Sequence, residues 1–336
     1  MVARGGSGAG WALALGSSAC FGIAGSFATP LIHAGWSPGA AVTARVTLAA
    51  LVLLGPAIRV LRGRWHLLRR NIGLIASYGL IAVAGCQLFY FNALATLDVG
   101  VALLLEYLGI IMVVGWLWLR HGQRPRALTL AGAALAMAGL VFVLNLIGGG
   151  VRVDMVGILW GLAAAVGLAV HYILSARPAH GLPPLALAAG GLAIAAVALW
   201  VGGSVGIIPL HATWGDVALA RHAVPWWVPI LGLAVIAAAI AYVAAIGAVR
   251  ILGSKLSSFV GLAEVLFAIL FAWILLGQLP GLAQLFGGVL IVLGVILVRT
   301  DEMRWGRPGT DRTIARSGSG ADATAGPIEQ ADPAGA

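Results

Sequence analysis

Three charged side chains stand where charge is expensive. Glu106 lies in VGVALLLEYLGIIMVVGWLWL (residues 99–119), Glu264 in LSSFVGLAEVLFAILFAWILL (256–276), and Arg45 in the apolar run 37–58. A charge at the centre of a membrane-spanning helix costs about 2.5–3.5 kcal/mol on insertion scales, which makes each of these a functional-site hypothesis. With a rise of about 1.5 Å per residue, all three fall within about 5 Å of the midpoints of their runs. Unrelated charges have no reason to share one depth. Two carboxylates and a guanidinium at one level can hold a cationic or zwitterionic solute. A carboxyl not held by Arg45 can also take up and release a proton. The alternative is a buried ion pair, Arg45 with one glutamate, that fixes helix packing.

Weaker candidates surround them. Gln87 and Tyr90 share a face at i, i+3 in the run 72–94, whereas Asn92 points elsewhere. Tyr107 follows Glu106, and His171 and Tyr172 lie in the run 155–176. We take Gln87, Tyr90, Tyr107, His171 and Tyr172 as secondary candidates for a pocket lining, His171 first as a hydrogen-bonded packing residue and second as a proton relay. No His-Glu-x-x-His or His cluster accompanies the carboxylates, so no metal site or cofactor is expected. No Gly-x4-Gly-Lys-[Ser/Thr] pattern provides for ATP hydrolysis. Cys20 and Cys86, the two cysteines, sit inside apolar runs and imply no disulfide framework.

The elements that must position these groups are membrane-spanning helices. Hydrophobic residues make up 61% of the 336-residue chain and charged residues 9%, against about 45–50% and 25% in soluble domains. Ten runs reach the roughly 20 residues that cross a hydrocarbon core: 11–32, 37–58, 72–94, 99–119, 127–147, 155–176, 184–208, 226–248, 256–276 and 281–298. They are too long and too evenly apolar for barrel strands, which alternate. The first run is also too long for a cleaved signal peptide. Basic residues fall in alternate loops: Arg59, Arg62, Arg64, Arg69 and Arg70; Arg120, Arg124 and Arg126; Arg177; Arg250 and Lys255. The other loops hold only Arg152 and Arg221, with Asp98, Asp154 and Asp216. The positive-inside rule then places both termini in the cytoplasm. The net charge of +9 thus reflects orientation in the bilayer, and no nucleic-acid partner is expected. Trp36, Trp226 and Trp227 read as interface anchors. Residues 1–10 form a short cytoplasmic N-terminus, and 299–336, poor in large apolar residues, a disordered cytoplasmic tail.

The chain repeats itself. Trp118, Gly122, Gln123, Pro125, Leu130, Gly132 and Gly139 match Trp273, Gly277, Gln278, Pro280, Leu285, Gly287 and Gly294 at one offset of 155 residues. The glutamates are offset by 158, a shift of three residues and close to one helical turn. The halves 11–147 and 155–298 each hold five spans, an odd number, so the second must be inverted. Inverted repeats are a common architecture of secondary transporters, with the substrate path at the repeat interface. The expected fold is an all-α polytopic membrane protein with ten transmembrane helices in two inverted five-helix repeats.

Together these features resemble the EamA-type branch of the drug/metabolite transporter superfamily over about residues 11–298. The resemblance rests on Arg45 and its Leu/Ala run, on Leu97 to Gly109 (LDVGVALLLEYLG), on Leu262-Ala263-Glu264-Val265, on Leu276-Gly277-Gln278, and on Gly287 to Ile291 with Gly294. It implies two EamA repeats and export of amino acids or related metabolites from a bacterial plasma membrane, often in exchange for protons. Val265 and Ile110 stand where the family often has proline, which implies straighter helices there. Gln278 stands where the family often has Glu, and Gln123 matches it in the first repeat. The partners implied are a small-molecule substrate, protons and the lipid bilayer; oligomeric state is left open. A lipid or lipid-linked carrier flippase is the main alternative. A membrane-embedded enzyme lacks a nucleophile–base set, and a scaffold would have no use for midplane charge. The expected mechanism is a rocking of the two five-helix halves around the central site.

Overall fold

The computed structural model describes residues 4–94, 97, 99–143, 154–177, 179, 181–219, 222–277 and 279–305. Among them nine helices are long and apolar enough to cross a membrane: α1 (Gly8–His33), α2 (Pro38–Leu61), α3 (Ile72–Tyr90), α4 (Ala102–His121), α6 (Met155–Ser175), α7 (Pro184–Ser204), α8 (Trp227–Leu252), α9 (Ser254–Leu275) and α10 (Leu282–Asp301). A shorter apolar helix, α5 (Ala127–Val143), lies between α4 and α6. Residues 144–147 of its predicted run lie outside the described residues, as do Asp98, Arg152, Arg221, Gln278 and the tail from 306. The helix containing α10 continues to Trp305, past the predicted boundary at 298. The first helix begins at Arg4, inside the stretch read as a short terminus.

Local chemistry sets the helix ends. Ser37 accepts from the Ala40 amide at the start of α2, where Pro38 supplies a preset φ. Asp154 does the same for α6 through Gly157. Gly122 and Gly277 both adopt positive φ, at +65° and +72°. Their amides bond the carbonyls of Trp118 and Trp273, each at 3.0 Å. The repeated Trp-x3-Gly is therefore one helix-terminating turn used twice, with glycine where a left-handed residue is needed.

The helices pair across the repeat. α5 packs on α10, and α2 on α7. α1 packs on α8 and α9, and α6 in the same way on α3 and α4. Exchanging the two halves maps this list onto itself. A Cβ on Gly132 would meet the Gly294 carbonyl at 2.7 Å, and one on Gly139 the Gly287 carbonyl at 2.6 Å. The early residue of each helix thus meets the late residue of the other, so α5 and α10 run antiparallel. One core joins α2, α3, α7 and α8 through Val46, Tyr78, Leu187 and Ile246. A second joins α4, α5, α9 and α10 through Ile110, Leu140, Phe259 and Ile291. Neither belongs to a single half. The halves therefore interlock, with α1 packed on α8 and α9 and α6 on α3 and α4.

A second symmetry is not legible in the residues. α3 and α8 each turn π-helical, over Tyr78–Gly85 and Gly232–Ile240, and these segments end 155 residues apart. The wider turn loosens the carbonyl ladder and is frequent at functional sites.

The arginine-bearing loops gather at one face. Arg250 bonds the Leu182 carbonyl and ties the α8–α9 turn to the α6–α7 loop. Lys255 pairs with Asp301 at 3.8 Å, and Thr129 donates to the same carboxylate. Arg299 lies over the Trp11 ring, 4.6 Å from its centroid. At the opposite face the α7–α8 loop carries a small hairpin, β1 (Val217–Leu219) and β2 (His222–Val224), which the sequence reading did not anticipate. Ser37 and Trp36 bind that loop through Pro209, His211 and Thr213. Trp36 is 5% exposed and stacked on Trp226, so it holds this loop and does not face lipid. Trp227, half exposed, remains on the surface of the bundle.

Candidate functional site

α1 and α9 are both interrupted at mid-depth. α1 breaks at Ile23 and α9 at Leu262. In α9 the Leu262 amide bonds Phe259 and the Val265 amide bonds Leu262, both one residue tighter than an α-helical step. The Ser18 hydroxyl donates to the Val260 carbonyl at 3.2 Å. A side chain from α1 thus bonds the α9 backbone beside the interruption, which forms without the proline that Val265 replaces. Gly22 packs on α9 just past this interruption: a Cβ there would lie 2.7 Å from the Glu264 carbonyl and 2.9 Å from the Ala268 nitrogen.

Two cavities meet at the glutamates. The first, of about 470 Å³, extends towards the hairpin face and is lined by Arg45, Gln87, Tyr90, Glu106 and Glu264, with Ile32, Pro38 and Ala272 nearer its mouth. The second, of about 90 Å³, extends towards the arginine-bearing face, past His171, Tyr172, Tyr242 and Ser257 to Ala248 and Val249. Phe21, Gln87, Glu106 and Glu264 line both. The smaller cavity has room for water. The larger has room for a small solute.

The eight residues singled out from the sequence all line a cavity that Glu264 also lines. Tyr107 is the one that faces a third space, described below. Its hydroxyl reaches the Glu264 carboxylate. Cys86 donates to Glu106 Oε1 at 3.4 Å. Arg45 makes no ion pair with either glutamate among the described residues. Its Nη2 donates instead to the Ala237 carbonyl at 2.6 Å, within the π-helical part of α8, and its Nε is buried without a partner. The direct Arg45–carboxylate pair considered above is therefore not formed. The guanidinium is anchored by α8 and keeps a donor for something else. His171 Nδ1 bonds the Tyr78 hydroxyl at 2.9 Å, the packing role read first for it. Asn92 turns back to the Leu88 carbonyl.

Tyr242 lines the inner cavity and was not among the residues singled out from the sequence. It meets Phe21 edge to face at 5.1 Å and the His171 ring at 5.9 Å, and Gln87 reaches its hydroxyl. A signal existed: Gln87 and Tyr242 are 155 residues apart, the same position in the two repeats. Phe21, Ser17, Ser18 and Ser257 carried no such mark.

Known proteins bear on this arrangement. The family model described as "EamA-like transporter family" matches residues 8–145 and 155–300, in two copies. A solved chain described as "Crystal structure of protein" superposes with a TM-score of 0.69 over 88% of this chain and 98% of its own, at 21% identity, which shows a shared fold. No curated protein matches the chain. Residues 8–145 and 155–300 take in both sets of helices that enclose the glutamates. The chain is an integral, multi-pass membrane protein that belongs to the EamA-like transporter family, within the drug/metabolite transporter superfamily.

Proposed function

We propose that this protein is a secondary carrier of the plasma membrane that exports amino acids or related small zwitterions, with protons as the exchanging ion. Glu106 and Glu264 bind the ammonium group or a proton by turns, and the guanidinium of Arg45, in the wall of the larger cavity, attracts the carboxylate. Ten crossings, with α5 as the fifth, and cytoplasmic termini fit the arginine-rich face. The first repeat would be 11–147 and the second 155–298, with 1–10 and 299–336 as cytoplasmic ends. The observation that carries the reading is that one set of side chains, Phe21, Gln87, Glu106 and Glu264, lines cavities directed at opposite faces. A carrier needs one site reached from two sides, and the α1–α8–α9 unit moving against α6–α3–α4 would supply that. With the larger cavity on the hairpin face, the conformation corresponds to the outward-facing one.

Extracellular metabolite profiling of overproducing cells tests this. Wild type is expected to raise one class of small zwitterion outside the cell several-fold over cells carrying an empty vector. Accumulation of a lipid-linked product alone would favour the flippase reading, and no change in any metabolite would contradict export.

A further inference from the structure

A third cavity, of about 470 Å³, lies between α4, α5, α9 and α10. Apart from Glu264, Tyr107 and Gln284, the described side chains around it are apolar, among them Val143, Val265, Ile269 and Leu279. It is not separate from the outer cavity. Leu103, Glu264, Ala268 and Ala272 line both. Glu264, Ala268 and Ala272 follow one another at i, i+4 and i+8 on one stripe of α9. Of the four shared residues, Ala268 and Ala272 carry only methyl side chains, so little bulk stands there between the two spaces. Leu279, 77% exposed, stands at the rim near the hairpin face.

We propose that this space is a specificity subsite that receives the apolar side chain, aliphatic or aromatic, of a cargo whose ammonium group is held at Glu264. The assignment rests on the carrier reading above. Two observations favour a cargo side chain over a lipid tail. The space adjoins the polar cavity that Arg45 and Glu106 line, with Glu264 common to both, so one molecule held at Glu264 would have its charged end there and its apolar end here. A lipid chain would also set hydrocarbon against a carboxylate with no counter-charge, whereas an ammonium-bearing cargo brings its own. A single methylene in a fitted apolar pocket shifts selection by roughly tenfold or more, so the subsite would dominate the choice among zwitterions of one backbone.

The test uses the full-length protein in proteoliposomes, with alanine, leucine and phenylalanine as cargos. Wild type is expected to move leucine or phenylalanine at least tenfold more efficiently than alanine. Ile269→Trp, which fills the space from a position outside the polar cavity, should lower flux of the favoured cargo at least tenfold and that of alanine less than twofold. Ile269→Ala should shift the optimum towards the larger side chain, and it decides the matter if the tryptophan variant does not fold. Equal handling of the three by wild type, or an equal change for all three in both variants, overturns the subsite and leaves the carrier standing. The second outcome would assign the space to packing or to lipid. Flux of none of the three overturns the zwitterion reading together with the subsite.

Discussion

Glu264→Gln and Glu106→Gln should each lower transport by about thirtyfold or more while leaving folded protein in the membrane. The magnitude follows from the chemistry of the pair. Removing one charge of a desolvated charge pair costs about 2–5 kcal/mol, and each 1.4 kcal/mol is about tenfold. Glutamine has nearly the same shape and is cheaper to insert at the bilayer centre, so assembly has no reason to suffer. The contacts sharpen the expectation: at Glu106 the thiol of Cys86 can still be accommodated by an amide oxygen, and at Glu264 so can the Tyr107 hydroxyl. The variants should therefore match wild type in thermal midpoint and purified yield, and differ in flux measured in proteoliposomes. Unchanged flux in both would remove the glutamates from the site.

Gly287→Val is expected to reduce the yield of monodisperse protein at least tenfold, and Gly139→Val to do the same. A Cβ on Gly287 would lie 2.5 Å from the Gly139 carbonyl and 2.7 Å from the Val143 nitrogen. Both obstacles are backbone, so no rotamer change relieves the collision. In lipid the helices gain little from hydrophobicity and depend on close packing of small residues. Overpacking costs about 1–3 kcal/mol where side chains can yield, and separating α5 from α10 would also forfeit the Gly132–Gly294 contact one pair further along. Size-exclusion profiles of detergent-solubilised protein measure this directly. Yields within twofold of wild type would show that the α5–α10 contact is not needed for assembly.

The composition and the spacing of apolar runs were enough to find the helices. They could not assign the partners, because each helix is apolar around most of its circumference and presents no single buried stripe. Gly132, Gly139, Gly287 and Gly294 were legible as matched positions of the repeat, but not as the seam where α5 meets α10. For the same reason the sequence did not reveal that α1 and α6 pack on helices of the opposite half. The charged centre was legible because a carboxylate at mid-depth has no cheap structural explanation. The partner of Arg45 was not, since it is a backbone carbonyl of a π-helical turn and carries no sequence mark. The interruption of α9 was not legible either: the side chain that bonds its backbone there is Ser18, 242 residues away from Val260.

The central claim, one site opened to two faces in turn, is tested most directly by thiol accessibility. Ala28→Cys would report on the outer cavity and Ala248→Cys on the inner one, each in a background with Cys20 and Cys86 replaced. Labelling by a membrane-impermeant reagent would be followed from each side, with and without a transported amino acid. The account predicts that Ala28→Cys labels readily from outside in the absence of cargo, and that cargo supplied from the arginine-bearing side slows this and speeds labelling of Ala248→Cys. Both positions open at the same time, or neither responding to cargo, would contradict it.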